Sequence, residues 1–226
     1  VADWAGAMIQ RSQALLPDHP VNRRRCAEGK PPATSAWFWG QGKTPSMESY
    51  RTKFGITGAV ISAVDLVNGI GVLAGLEVIS VPGATGWIDT NYEGKIGAAL
   101  AALGRHDFVY VHVEAPDETG HQGRADLKIQ AIEDFDRRIV APALAYYAAH
   151  PETRLLVAPD HFTVIETKTH AGGPLPFAIC GAGITPNGFR EYSERAAAET
   201  GVLLEEGFRL TQKMLRDPVM ILPDSR

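Results

Sequence analysis

Residues 108–121 read FVYVHVEAPDETGH, an unbroken apolar run that gives way at once to Pro116, Asp117, Glu118, Gly120 and His121. A run without polar alternation predicts a strand covered on both faces, as in a parallel sheet flanked by helices. Ligands of such sheets bind beyond the carboxyl ends of the strands. A carboxylate and an imidazole in D-x-x-x-H spacing directly after such a strand can therefore be an ordinary polar loop or half of a metal site. The other strand ends bear on the choice.

The same pattern repeats on either side. Residues 59–64 predict a strand and 65–73 a short helix; 76–81 predict a strand, then the loop PGATGWIDTN, and Asn91 caps a helix reaching Leu103. Residues 124–149 form one long helical pattern with Leu127, Ile132, Phe135 and Ile139 facing inward, kinked or split by Pro142. Residues 155–158 and 176–180 predict two further strands, and helices follow near 193–199 and 205–216. Upstream, SAWFW at 35–39 predicts a buried strand, with Trp37 and Trp39 in the core as Cys180 is later on. Thr44-Pro45 is a helix start and Phe54-Gly55 its end. Strands alternating with helices define an α/β domain, a mostly parallel sheet flanked by helices.

Three segments follow. Residues 1–16 are helical, with Trp4, Met8, Ile9, Leu15 and Leu16 at helical spacing. Residues 17–34, with four prolines and a basic cluster, are a crossover segment, and 35–226 carry the candidate metal site. The 226 residues balance 22 basic against 26 acidic side chains, a net charge of −4, which argues against nucleic-acid and membrane-surface partners. Cys26 and Cys180 make no disulfide framework and fit a reducing, cytoplasmic compartment. No apolar run approaches the ~20 residues of a membrane span. The opening VADWAGAMIQ has neither an initiator Met nor a signal-peptide pattern, so a piece of a longer protein is expected.

Two more strand-end segments carry metal-type donors: Asp160-His161 directly after LLVAP, and His170 in THAGGPLPF. With Asp117 and His121 this makes five carboxylate or imidazole ligands, suited to Zn²⁺, Mn²⁺ or Fe²⁺, with no thiol nearby. Gly120 would let a loop turn so that Asp117 and His121 converge. Adjacent Asp160 and His161 suit either two metals or one tightly wrapped ion. Five ligands are about right for most of a two-metal site, the apparatus of phosphoryl and acyl hydrolytic chemistry. Against this, Asp160 could cap a turn and His170 could be a surface histidine.

PDETGH, APDH and THAGGPLPF resemble the metal motifs of the alkaline phosphatase superfamily. NRRRCAEGKPPATSAWFWGQGK, GAVISAVDLVNGIGVLAGLEV, VPGATGWIDTNYEGK and ADLKIQAIEDFDRRI extend the likeness to the archaeal-type, cofactor-independent phosphoglycerate mutases, over about residues 18–216. Bacterial members of that group sometimes carry phosphonopyruvate decarboxylase or homoserine kinase labels. The resemblance implies an alkaline-phosphatase-like core lacking its N-terminal strand or strands, with residues 1–16 the tail of an inserted second domain. It implies two divalent ions, Mn²⁺ or Zn²⁺, with Mg²⁺ or Co²⁺ as further candidates. Asp117, His121 and His170 would hold one; Asp160 and His161 would help hold the second, completed by an Asp and a nucleophilic Ser. The reaction implied interconverts 3-phosphoglycerate and 2-phosphoglycerate through a phosphoserine.

Ser35, Ser46, Ser49, Ser62, Ser80, Ser193 and Ser225 lie in or beside predicted strands, helix starts or the tail, and none of them stands in a nucleophile context. The chain alone is therefore expected to be inactive and to hold one ion or none. A small phosphorylated substrate requires cations, for which Lys43 in GQGK, Arg23, Arg24 and Arg124 are the candidates, with Lys128 beside the last. Asp65 is expected to cap the helix it opens or else to line the site, and Glu114 and Glu118 to flank the site or face solvent. No complete dinucleotide or P-loop signature supports an ATP-dependent kinase, and nothing supports a thiamine-dependent decarboxylase. A metal-dependent phosphatase or phosphonate hydrolase is the second enzyme reading. A catalytically dead metal-binding α/β domain is the non-enzyme reading.

Overall fold

The structure, a computed structural model, describes residues 2–40 and 42–217. They fall into two compact units, one ending at Pro45 and one beginning at Ser46.

The first unit holds α1 (Ala2–Leu15) and α2 (Pro20–Ala27). The second helix lies within the segment 17–34 read as a crossover. Pro20 sits in the first turn, where a missing N–H costs nothing, and the His19 side chain accepts from the Val21 N–H. Buried Asn22 ties the unit together, donating to the carbonyls of Leu16 and Ala33 and accepting from the Ala33 N–H. SAWFW forms no strand: Trp37 and Trp39 are 75% and 82% exposed, which corrects their assignment to a core. An apolar run becomes a strand only where a neighbouring strand takes up its backbone groups, and among the described residues none does.

The second unit opens with α3 (Tyr50–Phe54), capped by Ser49 rather than started at Thr44, and closed by Gly55 in the left-handed conformation. Then come β1 (Gly58–Ile61), α4 (Asp65–Leu73), β2 (Glu77–Val78), α5 (Tyr92–Ala102) and β3 (Phe108–Val111). The three strands form a parallel sheet ordered β2-β1-β3, with Ala59 opposite Glu77 and Val109. Central β1 is buried at every position, as a doubly covered parallel strand requires. Asn91 caps α5 by accepting from the Gly94 N–H, as expected. Asp65 does not cap α4: the capping position is Val64, and Asp65 is an exposed first-turn residue. Tyr92, Ile96 and Ala99, one face of α5, close the core with Ile61 and Ile139.

The remainder is α6 (Ala115–His121), α7 (Ala125–Phe135), a π-helical segment Asp136–Val140, α8 (Ala141–Ala149), β4 (Arg154–Val157), β5 (Phe162–Val164), β6 (Thr169–Ala171), β7 (Ala178–Gly181), α9 (Glu194–Glu199), a 3-10 turn Gly207–Arg209 and α10 (Leu210–Arg216). The expected break in the long helix is the π segment. Pro142 has no N–H for an i−4 carbonyl, and the widened turn just before it accommodates that loss. Ile139 faces the core, but Ile132 is exposed; Ala131 and Asp134 are the buried positions in that stretch. Outside the parallel sheet the pairings are antiparallel, β4 with β7 and β5 with β6. Cys180, on β7, is only partly buried. Among the described residues no strand pairs with the outer edge of β3, and a cleft of about 2160 Å³ is lined by both β3 and β4. Among the described residues no helix is long and apolar enough to cross a membrane.

Candidate metal centre

The segment after β3 is a helix, not the expected loop. Pro116 lies in its first turn, and the Thr119 hydroxyl donates to the carbonyls of Ala115 and Pro116. Asp117 and His121 converge because they are four residues apart on one helical face, not because Gly120 turns a loop. Gly120 has a different role. A Cβ there would stand 2.9 Å from both the Thr163 carbonyl oxygen and its methyl carbon. Its bareness lets α6 lie against β5.

The other donors come from the β5–β6 hairpin and the turn before it. His170 is on β6 opposite Thr163, and Asp160-His161 precedes β5. The Thr163 hydroxyl donates to Asp117 Oδ1, joining helix to hairpin. His121 Nδ1 lies 2.9 Å from the Lys168 carbonyl. A carbonyl only accepts, so Nδ1 carries the proton and a neutral ring keeps its Nε2 lone pair. Lys168, at φ 54°, is the one non-glycine residue in the left-handed region among those described.

That lone pair faces a concentrated donor set. His170 Nε2 is 3.0 Å from His121 Nε2 and 3.3 Å from Asp117 Oδ1, and His121 Nε2 is 3.3 Å from Asp117 Oδ2. The His161 ring centroid is 3.7 Å from that of His170. His161 Nδ1 is 3.9 Å from Asp117 Oδ1, and its Nε2 is 3.3 Å from Asp160 Oδ2. One ligand atom each from Asp117, His161 and His170 lies within 4.8 Å of the others. The geometry thus gathers His161 with Asp117 and His170, and does not separate the two ligand sets that the resemblance implied. Asp160 stands at the rim, its side chain 63% exposed and one oxygen accepting from the His161 N–H. Converging imidazole and carboxylate donors without a thiol are a set that fits a divalent cation.

Glu114, Asp117 and Glu118 form an adjoining acidic group. Burial, then the neighbouring Glu118 and Asp117, push the Glu114 carboxyl above its usual range. Lys95 on α5, fully buried, donates to the His112 carbonyl at 3.0 Å; burial lowers its pKa. Burial likewise lowers that of His112, whose Nδ1 meets the Ser62 hydroxyl at 3.1 Å. Lys128 donates to the carbonyls of Pro116 and Thr163, each at 3.0 Å, and burial lowers its pKa.

Arg23 and Arg24 are on α2, exposed, with Arg23 paired to Asp18 at 3.3 Å; Lys43 is exposed in the same unit. Arg124 holds Asp126 through two hydrogen bonds. Ser225 lies outside the described residues. Ser49 and Ser193 are helix caps. The sequence reading passed over Lys95, Thr163 and the Lys168 carbonyl; a buried lysine on an otherwise apolar helix face was the only signal of the three.

Fold and site together define an α/β protein with a divalent-metal donor set at the carboxyl end of a parallel sheet. The chain belongs to the Metalloenzyme superfamily, whose family model matches residues 9–206. It is 54% identical over 92% of its length to a protein named probable 2,3-bisphosphoglycerate-independent phosphoglycerate mutase from Geobacter sulfurreducens, covering 52% of that protein. It is 49% identical over 92% of its length to a 2,3-bisphosphoglycerate-independent phosphoglycerate mutase from Methanothrix thermoacetophila, covering 53% of it. A solved structure from Pyrococcus horikoshii superposes with a TM-score of 0.76 at 31% identity, over 88% of this chain and 52% of that one. The cofactor-independent phosphoglycerate mutase of Thermoplasma acidophilum gives 0.59 at 26% identity, over 96% of this chain and 52% of that one. The chain spans about half the length of the curated relatives it matches.

Proposed function

We propose that this chain supplies the metal-binding part of a phosphoglycerate mutase interconverting 3-phosphoglycerate and 2-phosphoglycerate through a phosphoserine. The observation that carries the reading is the convergence of Asp117, His121, His161 and His170, in a chain whose relatives bear that name. These residues, with Asp160 at the rim, would hold Mn²⁺ or Zn²⁺. A divalent cation there neutralises phosphoryl oxygens and lowers the pKa of a nucleophilic hydroxyl. The chain's own residues prepare for it. The Lys168 carbonyl fixes the His121 tautomer, Thr163 orients the Asp117 carboxylate, and the Asp160 carboxylate stands against the His161 ring. The small phosphorylated substrate, two ions in the whole enzyme and a cytoplasmic location belong to the same proposal. Lys43, Arg23, Arg24 and Arg124 stand in it as substrate-binding cations.

Mn²⁺ or Zn²⁺ titrated into the 226-residue chain is expected to bind, and Asp117→Asn to weaken that binding at least ~100-fold by removing an anionic ligand. Undiminished binding by Asp117→Asn removes the site. The chain alone is expected to show no mutase turnover, and isomer formation by it would overturn the placing of the nucleophile outside these residues. With the complete protein, isomer formation supports the mutase reading, and release of inorganic phosphate supports the hydrolase instead.

A further inference from the structure

We propose that Lys128 is a positioning residue, a brace that holds the two ligand-bearing elements of the metal centre at their working separation. Asp117 and His121 ride on α6; His161 and His170 ride on the hairpin and the turn before it. The two groups are far apart in sequence. What fixes their spacing is therefore as important to the site as the ligands themselves.

Lys128 lies in the second half-turn of α7 and belongs to neither ligand-bearing element. Its ammonium donates to the Pro116 carbonyl, one residue before Asp117, and to the Thr163 carbonyl, on the residue paired with His170. One cation thus joins backbone to backbone across the seam. The close approach needs Gly120 as well: a Cβ there would stand 3.1 Å from the Lys128 nitrogen and 2.9 Å from the Thr163 carbonyl oxygen. The Thr163 hydroxyl on Asp117 crosses the same seam. Lysine suits the task because its ammonium is compact and its donors are not confined to a plane.

Charge and position predict opposite signs, which separates them. Removing a cation beside a cation site should tighten metal binding if only Coulomb repulsion counts. Removing a brace should loosen it, since groups that orient metal ligands are typically worth about 10–100-fold in affinity.

The inference rests on the metal reading, and the experiment tells the two apart. Mn²⁺ and Zn²⁺ are titrated calorimetrically into the 226-residue chain, Lys128→Met, Lys128→Arg and Gly120→Ala. Lys128→Met is expected to bind about 10-fold more weakly, and Lys128→Arg, which keeps a cationic donor, to recover part of the loss. Gly120→Ala keeps the lysine but crowds its ammonium and the Thr163 carbonyl, forcing the seam apart, and is expected to weaken binding too. Binding by Lys128→Met as tight as the parent's, or tighter, overturns the brace. Amide exchange of the metal-free chain supplies the second measurement. Lys128→Met should speed exchange over residues 162–171 and leave β1 unchanged; unchanged exchange at 162–171 overturns the brace whether or not metal binds. If the parent binds no metal, the metal reading fails and the exchange result alone decides the brace.

Discussion

Gly71 and Val60 show how little room single side chains have. Gly71 is buried on α4, and a Cβ there would lie 2.4 Å from Val60 Cγ1 on the central strand. The helix can approach β1 only because that position is bare. Gly71→Ala is expected to cost about 1–3 kcal/mol through overpacking, read as a lower urea midpoint at unchanged slope. A midpoint equal to the parent's would show that α4 can shift without penalty. The same constraint acts at the metal centre, where Gly120 faces Thr163 and Lys128. Sequence inspection assigned Gly120 to a turn. Its real role is intimate contact between a helix and a hairpin.

At the scale of elements, α5 and the π segment are clasped by one arginine. Arg138 makes two hydrogen bonds to Glu93 and lies over the Tyr92 ring, 4.4 Å from its centroid. The Arg138 guanidinium holds the Glu93 carboxyl down at about 2. A depressed folded-state pKa contributes stability that is present above the ordinary carboxylate value, ~4.3, and is lost as pH falls through the folded value. Glu93→Gln is therefore expected to shrink the loss of stability between pH 4.5 and pH 2, measured by urea melts across that window. Glu93 is solvent-exposed, so the effect should fade as salt is added. An acid limb identical to the parent's would remove the clasp. Arg138→Ala should also forfeit the aromatic contact, worth about 0.5–1 kcal/mol at an exposed site.

At the scale of the second unit, the sheet is divided. β2-β1-β3 is one ribbon and β4-β7 another, with the cleft lined by Val109, Val111, Leu155 and Val157 among others. Residues 108–113 have the composition of a doubly covered strand, yet Tyr110 is 43% exposed. An apolar strand with a free edge is a template for pairing with another chain. The isolated 226-residue chain is expected to self-associate as its concentration rises, seen by sedimentation velocity. Tyr110→Lys is expected to reduce that association by placing a charge beside the open edge. Monomeric behaviour of the parent across the accessible concentration range would show that the edge is not a pairing surface.

Much of this was written locally in the chain. The alternation of apolar runs with helical patterns, Asn91 as a cap, Gly55 as a stop and the break before Pro142 need only a few neighbouring residues, so the sequence alone determined the α/β class and the order of elements from β1 to β3. It also determined which residue types could serve a metal. Tertiary structure decided the rest. Whether SAWFW becomes a strand depends on a partner strand, and whether APDETGH coils depends on how α6 packs against β5. The grouping of His161 with Asp117 and His170 was decided in the same way. Side chains some fifty residues apart meet only when the hairpin closes against α6, and the Lys128 and Thr163 hydrogen bonds that hold them there leave no periodicity to read.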